Sequence, residues 1–482
     1  MSSNKNVGYT YLNFLGVILI IVGVAIISPS IFAWFYDGMF EIFVFMILGV
    51  TIGIIGFIIF YMHKGKGREP SVSGAMIFSA AVYLLIPLIG AIPVFTISKM
   101  SFVDSYFEAM SGFTTTGLTM FTNVENLPKS ILFWRSLMQW IGGIGLVILS
   151  LTILARPGMA AARLYAAEGR TEKLVPSITG TVNRTWWIYV LYTGVGVVLL
   201  YLAGMPLFDA LNHSMTAIAT GGFSVKNASI GAYNSSTIEA CTLLVMMLGM
   251  TSFAVHYQVF CRGVREFFRN TEVRVMFIFI TVFSIFIFSI LLVKTSIPLF
   301  IGVRQSVFQC ISALSTTGNS TVNISAWDES TKTLLIMLMV IGGGYGSTSG
   351  GIKLIRVATI LVSLRWIVRK LMSPRGTIIP PRLWGEVYDE AEVMEAMRYS
   401  LLYFTLLVGC SVLMTTLGFS LIDSLFEVVS AQGTVGLSVG VTSPNLHFIG
   451  KLILIIEMWA GRLEILPAIL LFQSIFTPKK AR

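Results

Sequence analysis

Four short segments rich in hydroxyl side chains and glycine carry the chemistry most directly readable in this sequence: SGFTTTGLT from Ser111, TAIATGGFS from Thr216, SALSTTGNS from Ser312 and SAQGTVGLS from Ser430. Each keeps a Ser or Thr six residues before one glycine, a Thr two residues before it and a Ser or Thr two residues after it. Those glycines, Gly117, Gly222, Gly318 and Gly436, recur roughly every 100 residues, the mark of one structural unit used four times. Glycine permits positive φ and close backbone approach, so such segments can aim carbonyl oxygens at a shared axis, where the oxygens replace the hydration shell of a monovalent cation. A single Thr-Thr-Gly reads as an ordinary turn. Four in register point to one centre with four quadrants, formed by Thr115-Thr116-Gly117, Thr220-Gly221-Gly222, Thr316-Thr317-Gly318 and Thr434-Val435-Gly436.

Such a centre needs dry surroundings, and the composition supplies them. Of 482 residues, 55% are hydrophobic and 12% charged, with a mean hydropathy of +0.83, whereas about a quarter of the residues of soluble proteins are charged. The chain therefore reads as an all-α integral membrane protein. Apolar runs long enough to cross a bilayer, about 20 residues each, lie near 11–36 (interrupted near Pro29), 39–62, 73–98, 130–154, 185–204, 237–260, 275–293, 332–352, 399–419 and 447–476. Each glycine segment falls between two of the last eight. The expected organisation is two peripheral N-terminal helices (1–70) and four repeats of span, short helix, loop and span around a pseudo-fourfold pore: 71–182, 183–270, 271–394 and 395–482. Of the 33 basic residues, 24 fall in connections on one side. The positive-inside rule makes that side, with both termini, cytoplasmic, and this accounts for the net charge of +10 without nucleic acid. Four cysteines, Cys241, Cys261, Cys310 and Cys410, form no CxxC pair, so neither a disulfide framework nor a zinc site is indicated.

Irregular backbone at membrane depth must be buried in protein or line a watery cavity. Before each glycine segment runs a short apolar stretch of about three helical turns, and three of the four begin with an acid: Asp104, Asp209 and Asp423, with Gln305 in the third repeat. These aspartates are expected to be helix N-caps, a role compatible with an acidic vestibule that concentrates cations. The inner helix ends would then point partial negative charge at the loops. Further along, Gly342, Gly343, Gly344, Gly346, Ser347, Thr348, Gly350 and Gly351 interrupt a span; six glycines in ten residues cannot sustain a helix. The expected form is a broken helix with a buried middle, the alternative being two spans joined outside. Arg462 lies inside the last apolar run, costly unless it faces a cavity or partner; an ion pair with Glu457 or Glu464 and snorkelling are the alternatives. Glu108, His213, Gln309 and Glu427 share one repeat position and read as buried hydrogen-bonding groups behind the loops, direct ion binding being the alternative. His256 reads as a helix-end residue rather than a ligand.

Thr434-Val435-Gly436 looks like the filter signature of potassium channels, although Leu437 follows where those have an aromatic residue. Four non-identical pore loops with one glycine each resemble the Trk/Ktr/HKT superfamily of potassium transporters, and two leading spans at this length resemble its TrkH-type subunits. That resemblance, which covers essentially the whole chain, implies K+ as the bound ion at the twelve loop residues named above. It implies selectivity for K+ over Na+ from glycine at all four positions, and a gate formed by the glycine-rich loop with Arg462 beneath the filter. It also implies a homodimer in the lipid of the cell membrane that works with a cytosolic nucleotide-binding ring of the TrkA type. No nucleotide-binding Gly-x-Gly-x-x-Gly motif follows a strand pattern here, and no organic cofactor is expected. The shorter signature implies fewer ion sites and looser discrimination than in a tetrameric channel. Na+-permeable or Na+- or H+-coupled transport in the same fold is the alternative within transport. A polytopic membrane enzyme would need an HExxH or paired intramembrane aspartates, and the sequence has neither.

Overall fold

In the computed structural model, the described residues are 2–65, 71–146, 148, 151, 163, 166–167, 174–175, 177–295, 297–374, 379–384 and 386–476. Of the 24 basic residues expected on the cytoplasmic side, Lys66, Arg68, Arg156, Arg170, Lys173, Arg375, Lys479, Lys480 and Arg482 lie outside them. Helices dominate, and the strands among the described residues are a two-residue pair, Arg382–Leu383 with Glu386–Val387.

The N-terminal helices Ser2–Ile27 and Met39–His63 pack tightly through glycines, since a Cβ on Gly16, Gly23, Gly49 or Gly56 would run into the opposing backbone. Small residues of this kind let membrane helices approach closely. Between them, Asp37 accepts from the Lys129 and Ser130 amides at 2.8 Å each, capping a helix of the pore from outside it.

Four copies of a three-helix unit follow. The outer helices are Val72–Ser98, Ile178–Leu202, Thr271–Thr295 and Glu390–Thr415; the short helices are Phe102–Phe113, Leu207–Ile218, Leu299–Leu314 and Leu421–Gln432. The inner helices are Lys129–Ile144, Ser236–Met250, Glu329–Ile341 and Phe448–Arg462. Each inner helix packs against the short helix of the next repeat, and the fourth packs against the first. The ring therefore closes. The core between its helices is filled by side chains such as Phe107, Phe113, Trp134, Phe308, Phe426 and Trp459, all fully buried, with Trp134 and Trp459 bonded to carbonyls of the first outer helix.

Among the described residues, six helices are long and apolar enough to cross a membrane, seven if a bent pair counts as one span. They account for 11–36, 39–62, 73–98, 185–204, 275–293 and 399–419. The other four expected spans are not straight helices. Their inner helices stop at 144, 250, 341 and 462, within two residues of glycines that share one position counted from each helix start: Gly142, Gly249, Gly342 and Gly461. Three of these sit where a Cβ would press on the last short-helix carbonyl of the same repeat, at Phe113, Ile218 and Gln432. After Met250 the chain turns by 99° into Phe253–Arg262. Apolar content alone does not reveal such breaks; close packing at a glycine does.

Candidate ion pathway

Each short helix ends in the same turn. The amides of Thr116, Gly221, Thr317 and Val435 donate to the carbonyls five residues earlier, on Ser111, Thr216, Ser312 and Ser430, at 2.8–3.0 Å. The residue before each donor is left-handed: Thr115 at φ 58°, Thr220 at 52°, Thr316 at 55° and Thr434 at 52°. This is a Schellman closure with threonine where glycine is usual, a strain of roughly 1–3 kcal/mol per site repeated fourfold. Next comes the glycine, also at positive φ: 91°, 73°, 79° and 92° in chain order.

The quadrants meet. A Cβ on Gly117 would collide with the Gly221 carbonyl oxygen, one on Gly222 with that of Thr317, one on Gly318 with that of Val435, and one on Gly436 with that of Thr116. Thus four carbonyl oxygens, each from the residue before a glycine, stand beside the glycine of an adjoining repeat. No side chain larger than hydrogen fits at those four positions without displacing the ring. All four glycines open onto one vestibule of about 460 Å3, together with Thr119, Ser224, Ser320 and Ser438.

Behind the ring, the repeat position expected to hold buried hydrogen-bonding groups does so in every quadrant. Glu108 accepts from Thr119 Oγ1 at 3.0 Å, Gln309 donates to Ser320 Oγ at 3.2 Å, Glu427 accepts from Ser438 Oγ, and His213 Nε2 lies 3.5 Å from Ser224 Oγ. Each tie joins the short helix to the chain two residues beyond its glycine. Glu108 also pairs with buried Arg135 at 2.7 Å. The Arg135 guanidinium stacks on Phe223 at 4.1 Å and donates to the Ser224 carbonyl, crossing into repeat two. Sequence reasoning missed Arg135, although a charge within an apolar run is the signal that should flag it.

Asp104, Asp209 and Asp423 are not the N-caps. The cap positions are Ser101, Pro206 and Ser420, and each aspartate lies three residues into the helix. Ser101 and Ser420 accept from the Asp104 and Asp423 amides and donate to their carboxylates, an arrangement akin to a capping box. Nor do these acids line the vestibule. Asp104 pairs with Lys451 and Asp423 with Lys332, each on the inner helix of the preceding repeat, while repeat three reverses the charges as Arg304 with Glu239. Asp209 accepts from Tyr233 at 2.7 Å; burial, and then this bond to a carboxylate, push the Tyr233 hydroxyl pKa upward.

On the opposite side of the ring, residues 342–353 fold back between Glu329–Ile341 and Leu354–Leu371, a broken helix with a buried middle. Thr348 Oγ1 bonds the Ile218 and Gly249 carbonyls at 2.9 Å each and lies 3.2 Å from Thr220 Oγ1. The Gly350 amide donates to Thr316 Oγ1 at 2.9 Å, and a Cβ on Gly350 would strike the Gly433 carbonyl and Thr434 Oγ1. The loop thus touches the hydroxyl-bearing threonine of three quadrants. Gly344 donates to the Met250 carbonyl and Tyr345 to Glu272. Gly342, at φ 71°, lies against Gly350, and Gly343 against Ser349. A cavity beneath is lined by Gly346, Ser347, Gly350, Gly351, Lys353, Thr434 and Arg462, among others.

Arg462 faces that cavity. It donates to the loop carbonyl of Thr348 at 3.2 Å and to the Gly142 and Gly143 carbonyls at the end of the first inner helix. Glu464 pairs with Arg356 at 2.7 Å, so neither it nor Glu457 neutralises Arg462 among the described residues. Lys353, whose ammonium reaches the Ser349 carbonyl, is a second cation beside the loop that sequence reasoning did not single out. His256 is buried and held by Tyr192 and the Leu248 carbonyl. The cysteines are unpaired, and no cluster of metal-binding side chains occurs among the described residues.

Residues 41–481 match the model of a family described as TrkH, cation transport protein. An uncharacterized cation transporter of Methanocaldococcus jannaschii is 37% identical over 96% of this chain and 95% of its own. The Trk system potassium uptake protein TrkH of Halomonas elongata is 31% identical over 97% of this chain and 99% of its own. The crystal structure of the potassium transporter TrkH from Vibrio parahaemolyticus superposes with a TM-score of 0.86 at 26% identity, covering 98% of this chain and 99% of that one.

Proposed function

The chain belongs to the TrkH family of cation transport proteins, and from that premise we propose that it takes up K+ through the ring formed by its four glycine segments. The observation that carries this reading is the closure of the ring: each pre-glycine carbonyl, on Thr116, Gly221, Thr317 and Val435, stands against the glycine of an adjoining repeat. Backbone oxygens so placed can replace water around a monovalent ion, with Thr115, Thr220, Thr316 and Thr434 at the inner edge. Relatives that are potassium transport proteins, the Halomonas elongata and Vibrio parahaemolyticus TrkH among them, support K+ as the ion.

The loop from Gly342 to Gly351 together with Arg462 is the gate in this reading. It underlies the ring, engages Thr220 and Thr316, and is tied by a guanidinium to the first repeat. A fixed positive charge beneath the ring raises the barrier to cations. The protein works as a homodimer in the cell membrane with both termini cytoplasmic, and a separate nucleotide-binding subunit regulates it from that side; the excess of basic residues on that face supports the orientation.

Gly318→Ser tests the filter. The added side chain meets the Val435 carbonyl, so K+ over Na+ permeability, measured from reversal potentials in reconstituted bilayers, should fall by about tenfold or more, the factor that corresponds to about 1.4 kcal/mol. An unchanged ratio in a correctly assembled protein would overturn the assignment, and equal K+ and Na+ permeability in the parent chain would favour the Na+-permeable reading.

A further inference from the structure

The four quadrants differ at the residue before the glycine. Three carry a β-branched side chain there, Thr116, Thr317 and Val435, and the second carries Gly221. The two threonines anchor their strands backward: Thr116 Oγ1 lies 2.8 Å from Thr114 Oγ1, and Thr317 Oγ1 lies 2.7 Å from Ser315 Oγ. Val435 packs its side chain beside Gly433. Gly221 has no side chain with which to do this.

A residue of another repeat stands in that space. Gln139, on the first inner helix and fully buried, donates from Nε2 to the Gly221 carbonyl at 2.6 Å and accepts at Oε1 from the Phe223 amide at 2.9 Å. It thereby brackets Gly222 on both sides. A Cβ on Gly221 would meet the Gln139 amide group itself, with Cδ at 2.5 Å. Counted from the first residue of each inner helix, the matching positions on the other three are Met246, Met339 and Met458, all buried. The one polar residue of that set therefore faces the one quadrant with glycine before its filter glycine. Among the described residues, Gly221 is also the one member of the carbonyl ring whose oxygen accepts a protein hydrogen bond.

We propose that Gln139 is a selectivity-positioning residue. Its amide holds the second strand of the ring at a set distance from the axis, as the β-branched side chains do for the other three, so Gln139 and Gly221 form one exchangeable unit. Held on both sides of Gly222, the Gly221 carbonyl cannot follow a smaller ion inward, and the ring keeps the size that favours K+ over Na+. This inference rests on the ring being the filter.

The test is the K+ over Na+ permeability ratio, from reversal potentials of the full chain in bilayers, for the parent, Gln139→Met and Gln139→Met/Gly221→Val. Gln139→Met should lower the ratio about tenfold, the upper end of what one neutral hydrogen bond is worth, while K+ current persists. The double variant, which gives the second quadrant the pair found in the fourth and needs no hydroxyl at Ala219, should regain the parental ratio. A merely structural role would reduce current for both ions alike and leave the ratio unmoved, and that result in Gln139→Met overturns the proposal. If Gln139→Met does not assemble, the double variant decides: assembly with the parental ratio supports the exchangeable unit, whereas failure to assemble, or assembly with a lowered ratio, refutes it. A parent that does not discriminate K+ from Na+ would instead refute the filter reading itself.

Discussion

Replacing Arg462 with alanine should open the gate. In the structure its guanidinium joins three carbonyls: Thr348 on the loop, and Gly142 and Gly143 on the first inner helix. Among the described residues the hydrogen-bonded bridge from loop to helix runs through this one side chain, so its removal costs the closed arrangement at least the bond to Thr348. A hydrogen bond to a charged group is worth about 1.5–3 kcal/mol. If the open arrangement lacks that bond, the closed-to-open equilibrium shifts by about tenfold to a hundredfold. Loss of the positive charge acts in the same direction, because it lowers the barrier beneath the ring. Uptake of radioactive rubidium into proteoliposomes containing the chain alone should rise accordingly, with size-exclusion elution confirming intact assembly. Flux equal to that of the parent in a well-assembled Arg462→Ala protein would refute both the latch and the barrier.

Two further predictions concern the parts around the ring. Thr348→Val removes the hydroxyl that bonds Ile218 and Gly249 and touches Thr220; at about 1 kcal/mol per neutral hydrogen bond, rubidium flux should rise severalfold in the same assay, and a fall would contradict the gate. Arg135→Met leaves the Glu108 carboxyl without its cation partner in a fully buried site, a loss of about 3–5 kcal/mol. Its thermal melt in detergent should shift sharply downward, with partial recovery on adding Glu108→Gln, and an unchanged melt would show that the pair is not a strut.

The ring was legible because it is written four times. Positions shared by 111–119, 216–224, 312–320 and 430–438 survive the divergence of everything between them, and the hydroxyl two residues past each glycine proves to be the partner of Glu108, His213, Gln309 or Glu427. The glycine run from Gly342 was legible for a different reason, since no helix tolerates it. The aspartates were misplaced by three residues because serine and aspartate compete for the cap position: where Ser101 and Ser420 precede them, the shorter side chain takes it. Partners across repeats, such as Asp104 with Lys451 or Arg135 with Phe223, were not legible, because apolar periodicity does not say which neighbouring helix a charged residue faces. Gln139 and Gly221 show the same limit. Each is unremarked alone, and their correspondence becomes visible once the first inner helix is known to lie behind the second loop.

The central claim is that the carbonyls of Thr116, Gly221, Thr317 and Val435 surround one ion. A structure of the purified protein in rubidium or thallium salt, with anomalous or difference density mapped along the axis of the four repeats, tests it most directly. The account predicts a peak within coordination distance of those four oxygens that is lost when Na+ replaces the heavier ion. An empty axis with density elsewhere, or a peak contacting fewer than three of the four quadrants, would contradict it.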